Sequence, residues 1–389
     1  MNIVYCRYRN VCEPDYIDAF KALGINVVEC FINEMGVSSL DEKAQKLGEI
    51  FARSTPMFVF SINYFPYISI VCQGLGIKYV SISVTCPMVE IYNTTIRNSC
   101  NRVFLFDHEQ YLSVRDENPE GIFYLPLGAG VSRMDTAVGE LEEERYLYDV
   151  SFVGSLYNEK DPFLELKLSD ADKERYENLI REQIELTASG QDFLEKKVTS
   201  EDVEKIKSGA KDFYPSDLSV RNIDDFVAVN NYLSPHMTYL ERVKILNFLA
   251  EDGGVKVDLF TKSDTSELKG VTCHGGVESL KGMPQVFYQS RINLNLSTRS
   301  IKTGIPQRVW DVLGSGGFLI TNDQKELADF FEIGKHLVAY KSLDELKELV
   351  HYYLEHEEER EAIAAEGYEL VKSQGTVFMR VLDMIKNIG

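Results

Sequence analysis

Residues 303 to 323 read TGIPQRVWDVLGSGGFLITND, and the order of side-chain types in this stretch sets the fold class. Pro306 suits the first residue of a helix, because its fixed φ fits a helix start and its missing N–H would have no partner there. Val309, Val312 and Leu313 recur at helical spacing and give one apolar face, while Arg308 and Asp311 share another. Gly314, Gly316 and Gly317 end the helix and turn the chain into the apolar run FLIT. A helix that feeds a buried strand through a short turn is one unit of a parallel α/β sheet.

The same alternation extends in both directions. NIVYC (2–6), INVVECF (25–31), MFVFSI (57–62), KYVSISV (78–84) and RVFLFD (102–107) read as strands, and DYIDAFKALG (15–24) as a helix closed by glycine. IFYLPLGAGV (122–131) closes a first unit, placed at residues 1–145. After the acidic connector GELEEERYLYD (139–149), VSFVGSLY (150–157) opens a second unit at 146–375. Residues 160–250 interrupt it with polar, helix-patterned sequence that breaks at Gly190, Gly209 and Pro215, so a helical insertion is expected. VKVDLFT (255–261), RINLNLS (291–297), GFLITN (317–322) and HLVAYKS (336–342) resume the strands. The amphipathic tail, residues 376–389, is expected to form a helix packed back on the first unit.

A chain of 389 residues favours two domains. No apolar run approaches the roughly 20 residues of a spanning helix, and MNIVYCRYRN lacks a basic leader, so no membrane span and no secretion signal are expected. Seven cysteines without zinc-ligand spacing read as reduced thiols of a cytoplasmic protein. A net charge of −20 argues against nucleic acid as partner. The acids are unevenly spread: Ser279 to Trp310 holds none, where the chain average predicts about five, yet Lys281, Arg291, Arg299, Lys302 and Arg308 fall inside. A basic window in an acidic protein points to a small anionic ligand.

The loop STRSIKTG (297–304) precedes the quoted helix at the carboxyl end of a strand. Free amides and the helix dipole there suit a phosphate, with Arg299, Lys302, Thr303, Gly304 and Arg308 as donors and the glycines 316 and 317 allowing close approach. Asp311, one turn in, suits the vicinal diol of a ribose. Together these residues describe a nucleoside-diphosphate site.

An ordered series of motifs carries a resemblance: NRVFLFDHEQY (101–111), YLPLGAG (124–130), YDVSFVGSLY (148–157), INLNLS (292–297) and GIPQRVWDVLGSGGFLIT (304–321). The chain resembles the CgeB-like glycosyltransferases, a protein-modifying branch of the GT-B class related to the group 1 transferases. The resemblance implies two facing Rossmann-like, doubly wound domains, the first offering the acceptor surface and the second holding a nucleotide sugar, here UDP-linked. Arg308 then faces the diphosphate, Asp311 the ribose, and Gly154 and Ser155 the opposite wall of the phosphate pocket. The implied reaction is metal-independent transfer of a hexose or N-acetylhexosamine to a protein such as flagellin or to a glycan. No cofactor beyond the donor is implied.

The chain departs from the group 1 pattern, in which two glutamates stand eight positions apart: Thr303 occupies the first position and Asp311 the second. Ile82 and Thr85 stand where relatives tend to show Trp and Asp. The base is therefore sought in Asp107 and His108, which follow the strand RVFLF. Asp170 and Asp172 form an Asp-x-Asp by letters, but Ser169 caps a helix start there, which is the preferred reading over a metal site. Two other readings share the architecture: a nucleotide-sugar epimerase, and a non-catalytic structural or assembly protein.

Overall fold

In a computed structural model, which describes residues 1–36, 39–142, 145–159, 161–186 and 193–388, the chain builds two six-stranded sheets with helices on both faces. The break expected at Gly190 and residues 143–144 of the acidic connector lie outside the described residues. The first sheet holds β1 (Asn2–Arg7), β2 (Asn26–Phe31), β3 (Phe58–Ile62), β4 (Lys78–Ile82), β5 (Asn101–Leu105) and β6 (Ile122–Tyr124). The second holds β7 (Tyr148–Val153), β8 (Val257–Phe260), β9 (Thr272–Cys273), β10 (Ser290–Asn295), β11 (Leu319–Asn322) and β12 (Val338–Tyr340).

Every strand pair is parallel. The spatial orders are β2-β1-β3-β4-β5-β6 and β12-β11-β10-β7-β8-β9. Chain direction across the sheet reverses between β1 and β3 in the first and between β7 and β10 in the second. Such switch points leave a crevice beyond the strand ends, where ligands bind in doubly wound folds. The two-residue strand β9, absent from the sequence reading, pairs with β8 inside a stretch that reads as turns.

Strands buried on both faces explain the runs: Phe58, Val59, Phe60 and Ile62 are all shielded from solvent. The quoted helix spans Gln307–Gly314, with Pro306 extended in the capping position rather than first in the helix, a shift of one residue. Gly316, at φ +74°, makes the turn into β11. A Cβ on Gly317 would lie 2.8 Å from both the Asn293 amide nitrogen and the Phe287 carbonyl oxygen.

The insertion departs from expectation in what it touches. By sequence it interrupts the second sheet between β7 and β8, yet Phe163, Tyr176, Ile206 and Val227 share a core with Val4, Tyr64, Tyr79 and Val103 of the first. Phe226 packs edge-to-face on Tyr92 at 5.1 Å, and the Val220 N–H donates to the Tyr92 carbonyl at 2.7 Å. Ser169 caps the helix Asp170–Leu186, bonding the Asp172 amide at 3.2 Å, and Asp172 pairs with Lys205 at 2.9 Å. The terminal helix Val377–Lys386 buries Val377, Val381 and Met384 against Ile17 and Phe20 of the helix Glu13–Ala22.

Gly317→Ala is expected to destabilise the protein by about 1–3 kcal/mol through overpacking. Gly139→Ala, where a Cβ meets open space, is expected to change stability by less than about 0.5 kcal/mol. Thermal unfolding of the two variants beside the parent checks both.

Candidate functional site

The strand ends at the second switch point carry the site. β7 runs into Gly154 and Ser155, and β10 into Leu296, so both chains present carbonyls at the mouth of the crevice. Arg242, from the helix Ser234–Asn247 of the insertion, reaches between them and donates to the Ser155 and Leu296 carbonyl oxygens, 2.5 Å each. Its guanidinium lies over the Phe152 and Tyr157 rings at 5.2 and 5.0 Å. Tyr157 holds a φ of 76°, an uncommon conformation for a non-glycine residue.

Arg242 is buried, and among the described residues its Nε has no hydrogen-bond partner. The two nearest acids are committed elsewhere: Glu159 accepts from Ser155 and Ser263, and Glu241 from Arg299. Burial therefore dominates and lowers the Arg242 pKa to about 10, with Arg308 adding repulsion. At neutral pH it still carries its proton.

Arg308, on the first turn of the helix Gln307–Gly314, sits over the Phe287 ring at 5.0 Å, with Nη1 2.7 Å from the Met283 sulfur. Its nearest carboxylate oxygen, on Asp311, is 3.9 Å away. Burial lowers its pKa as well, against the opposing pull of Asp311. Asp311 is 7% exposed and accepts from the Gln307 side-chain amide at 2.8 Å. Burial raises its pKa above the usual carboxylate range, and Arg308, Gln307 and Arg133 work against that shift. Facing this pair across the seam is the turn after β1: the Cys12 thiol lies within electrostatic range of Asp311, and burial raises its pKa. Arg133 is held by Asp15 through two bonds of 2.7 and 2.8 Å.

The remaining expected donors are occupied. Arg299 is bound in a two-bond ion pair by Glu241, and Lys302 pairs with Glu195 of the insertion at 2.5 Å. The amides expected to be free for a phosphate are filled from within. The buried Asp107 carboxylate accepts from the N–H groups of Lys302, Thr303 and Gly304 at 2.8, 2.9 and 3.0 Å, and from Gln110 at 2.9 Å. Asp107 therefore fixes the seam and caps the helix His108–Val114, and the expectation that it serves as a base is corrected.

His108 is exposed, donates its backbone N–H to Glu326 at 2.9 Å, and rests its ring on Tyr124 at 5.1 Å. The Thr303 hydroxyl accepts from the Glu109 amide at 3.2 Å, and a Cβ on Gly304 would lie 2.9 Å from the Asp107 Cα and the Phe106 carbonyl oxygen. Gly316 and Gly317 stand at the far end of the helix, in the turn to β11, so they shape packing rather than line the crevice. Arg308 lies within electrostatic range of Asp311 and of Arg242, a residue the sequence reading missed, whose guanidinium bonds the Ser155 carbonyl next to Gly154. The signal was there: Arg242 falls in the buried stripe Thr238, Ile245, Leu246 and Leu249, a cation on an apolar helix face. Among the described residues no group of three or more His, Cys, Asp or Glu side chains is placed to hold a metal ion.

Removing the Asp107 acceptor leaves buried N–H groups unpaired, so Asp107→Ala is expected to cost about 3 kcal/mol, and Asp107→Asn less. Thermal melts read the order of the three proteins; equal melting temperatures would reject the clasp.

A family model described as glycosyl transferase-like matches residues 242–386, which begin at Arg242. No curated protein sequence matches the chain. Among solved structures, a glycosyltransferase from Rickettsia africae aligns at a TM-score of 0.53 and 10% identity, covering 99% of this chain and 97% of that one. Sucrose-phosphate synthase from Thermosynechococcus elongatus gives 0.53 and 10%, covering 99% and 98%. Anabaena HepE in complex with UDP and glucose gives 0.50 and 10%, covering 100% and 99%. These neighbours share the GT-B architecture of two facing doubly wound sheets, and that is the fold of this chain.

Proposed function

We propose that the protein is a glycosyltransferase that uses a nucleoside-diphosphate sugar, and that the crevice between β7 and β10 is its donor site. The observation that carries this reading is the pairing of the buried Arg242 with the partly buried Arg308, neither of them hydrogen-bonded to a carboxylate among the described residues. Two cations close enough to repel, one buried and one partly buried, are costly alone and become favourable when an anion of matching charge arrives. A diphosphate brings that charge together with acceptor oxygens in a geometry guanidinium groups bind well. The family model over residues 242–386 supports the same reading, as does the UDP-bound HepE structure of like fold.

In the proposed reaction an acceptor oxygen bonds to the anomeric carbon of the donor sugar, while the bond from that carbon to the diphosphate oxygen breaks. The electron pair leaves on the diphosphate, and Arg242 and Arg308 stabilise the charge that develops there. Since two side-chain cations take this charge, the reading needs no metal. Asp311 accepts hydrogen bonds from the ribose diol. The donor on this reading is UDP-linked and carries a hexose or an N-acetylhexosamine, and the acceptor is a glycan or a protein such as flagellin. Seven unpaired cysteines support a cytoplasmic setting. Asp311 is buried in the seam, so the two sheets must part for the donor to reach it.

Calorimetry with UDP and with GDP tests the reading: UDP is expected to bind, and heat-silent titrations with both nucleotides would sink it. Arg308→Ala and Arg242→Met are each expected to weaken UDP binding and slow transfer by at least about tenfold, the worth of one charge-assisted contact. Melting temperatures should stay close to that of the parent. Parental affinity in both variants would remove the arginines from the donor site.

A further inference from the structure

Two cavities flank the β1 turn. The larger, about 650 Å³, lies among the helices Glu13–Ala22 and Val131–Gly139 and the start of the terminal helix, and both of its cations are already paired, Arg133 with Asp15 and Lys281 with Glu140. The smaller, about 330 Å³, opens at the switch point of the first sheet, beyond the ends of β1 and β3. Its lining has a different character. Tyr8 and Phe65 supply aromatic faces, packed edge to face at 5.5 Å. Asn33, Thr85 and Asn231 line it with side chains that, among the described residues, make no hydrogen bond to protein. Glu90 adds a carboxylate that bonds only to its own backbone N–H and has no ion pair among the described residues. No Lys, Arg or His lines the cavity.

That composition selects a ligand class. With one acid and no cation, the pocket disfavours phosphates and acidic chains. Amides and hydroxyls both donate and accept, so they match groups that also do both, which describes sugar hydroxyls and not ammonium groups. Aromatic faces suit the apolar face of a sugar ring, and the volume falls within the range of roughly 300–1,000 Å³ typical of ligand pockets. The pocket also adjoins the donor crevice. The Tyr8 hydroxyl takes a bond from the Asn10 amide at 3.1 Å, the Asn10 carbonyl oxygen accepts from the Cys12 amide at 2.9 Å, and Cys12 faces Asp311 and Arg308.

We propose that this pocket receives the acceptor as a neutral saccharide and that the Glu90 carboxylate accepts the proton of its attacking hydroxyl. The inference rests on the glycosyltransferase reading and gives it an acceptor class and a base. The hydroxyl oxygen bonds to the anomeric carbon, its proton passes to Glu90, and the sugar–diphosphate bond breaks with its electron pair leaving on the diphosphate. Burial raises the Glu90 pKa from its ordinary value, which improves it as a proton acceptor. The insertion takes part through Asn231, so acceptor and donor sites are both completed by the same inserted segment.

Saturation-transfer NMR on the UDP-saturated full chain, with methyl glucoside, methyl galactoside and methyl N-acetylglucosaminide as probes and lysine amide as the cationic control, tests the pocket. At least one glycoside is expected to make contact and lysine amide none. Phe65→Ala and Asn231→Ala are expected to weaken that contact at least about tenfold while leaving UDP affinity unchanged. Glu90→Gln is expected to keep both ligands but to lower kcat for transfer to the bound glycoside by at least about 100-fold, the size of a lost general base. UDP binding without glycoside contact overturns the acceptor pocket and leaves the donor reading standing. Contact by lysine amide instead, glycoside contact indifferent to Phe65→Ala and Asn231→Ala, or parental kcat in Glu90→Gln also overturns it. No UDP binding at all removes the donor reading on which the pocket rests.

Discussion

Four backbone N–H groups, one from the helix that follows β5 and three from the loop that follows β10, converge on a single buried carboxylate, that of Asp107. Charge-assisted bonds of this kind gain strength where water is excluded, and the same exclusion makes them hard to lose. The clasp joins the two sheets and sets the course of residues 302–304 into the helix that carries Arg308 and Asp311. Close approach is part of it: only glycine fits at 304, because a Cβ there would press on the Phe106 carbonyl oxygen and the Asp107 Cα. Glu326 reinforces the seam from the other side, accepting from the His108 N–H and the Tyr124 hydroxyl.

The inserted segment does for the outer rim what Asp107 does for the centre. Phe163, Tyr176, Ile206 and Val227 of the insertion are buried with the core of the first sheet, while Ile245 and Leu246 pack with that of the second, beside the Glu241–Arg299 and Glu195–Lys302 pairs. A segment packed into the cores of both sheets acts as a strap between them. That position is what allows Arg242 to stand between the carbonyls of Ser155 and Leu296.

Strands were legible in the sequence because both faces of a doubly wound sheet are buried, so runs such as MFVFSI announce themselves without context. The Arg308 and Asp311 pair was legible for a local reason as well: helical spacing puts them together near a helix start. The partners of the loop before that helix were not, because they come from 190 or more residues away in the chain. The loop does bind an anion, as its amides and dipole suggest, but the anion is the protein's own Asp107. What the insertion packs against was hidden for the same reason. An amphipathic helix states that it has a buried face and leaves its partner unnamed.

An arginine buried without a bonded carboxylate usually costs stability, and Arg242 and Arg308 raise that cost by lying close enough to repel. The protein had the means to neutralise them. Glu159 and Glu241 are both near Arg242, yet Glu159 turns to Ser155 and Ser263 and Glu241 to Arg299. Asp311 keeps its nearer oxygen, Oδ2, 3.9 Å from Arg308, while its other oxygen, Oδ1, accepts from Gln307. Three acids within reach and none bonded is an arrangement that strains the fold and keeps positive charge available at one strand switch point. The first switch point carries the reverse pattern, an acid without an ion pair among the described residues, set among neutral groups. Charges of opposite sign at the two switch points suit the proposed transfer, which calls for cations where a leaving group gathers negative charge and a carboxylate where an incoming hydroxyl gives up its proton.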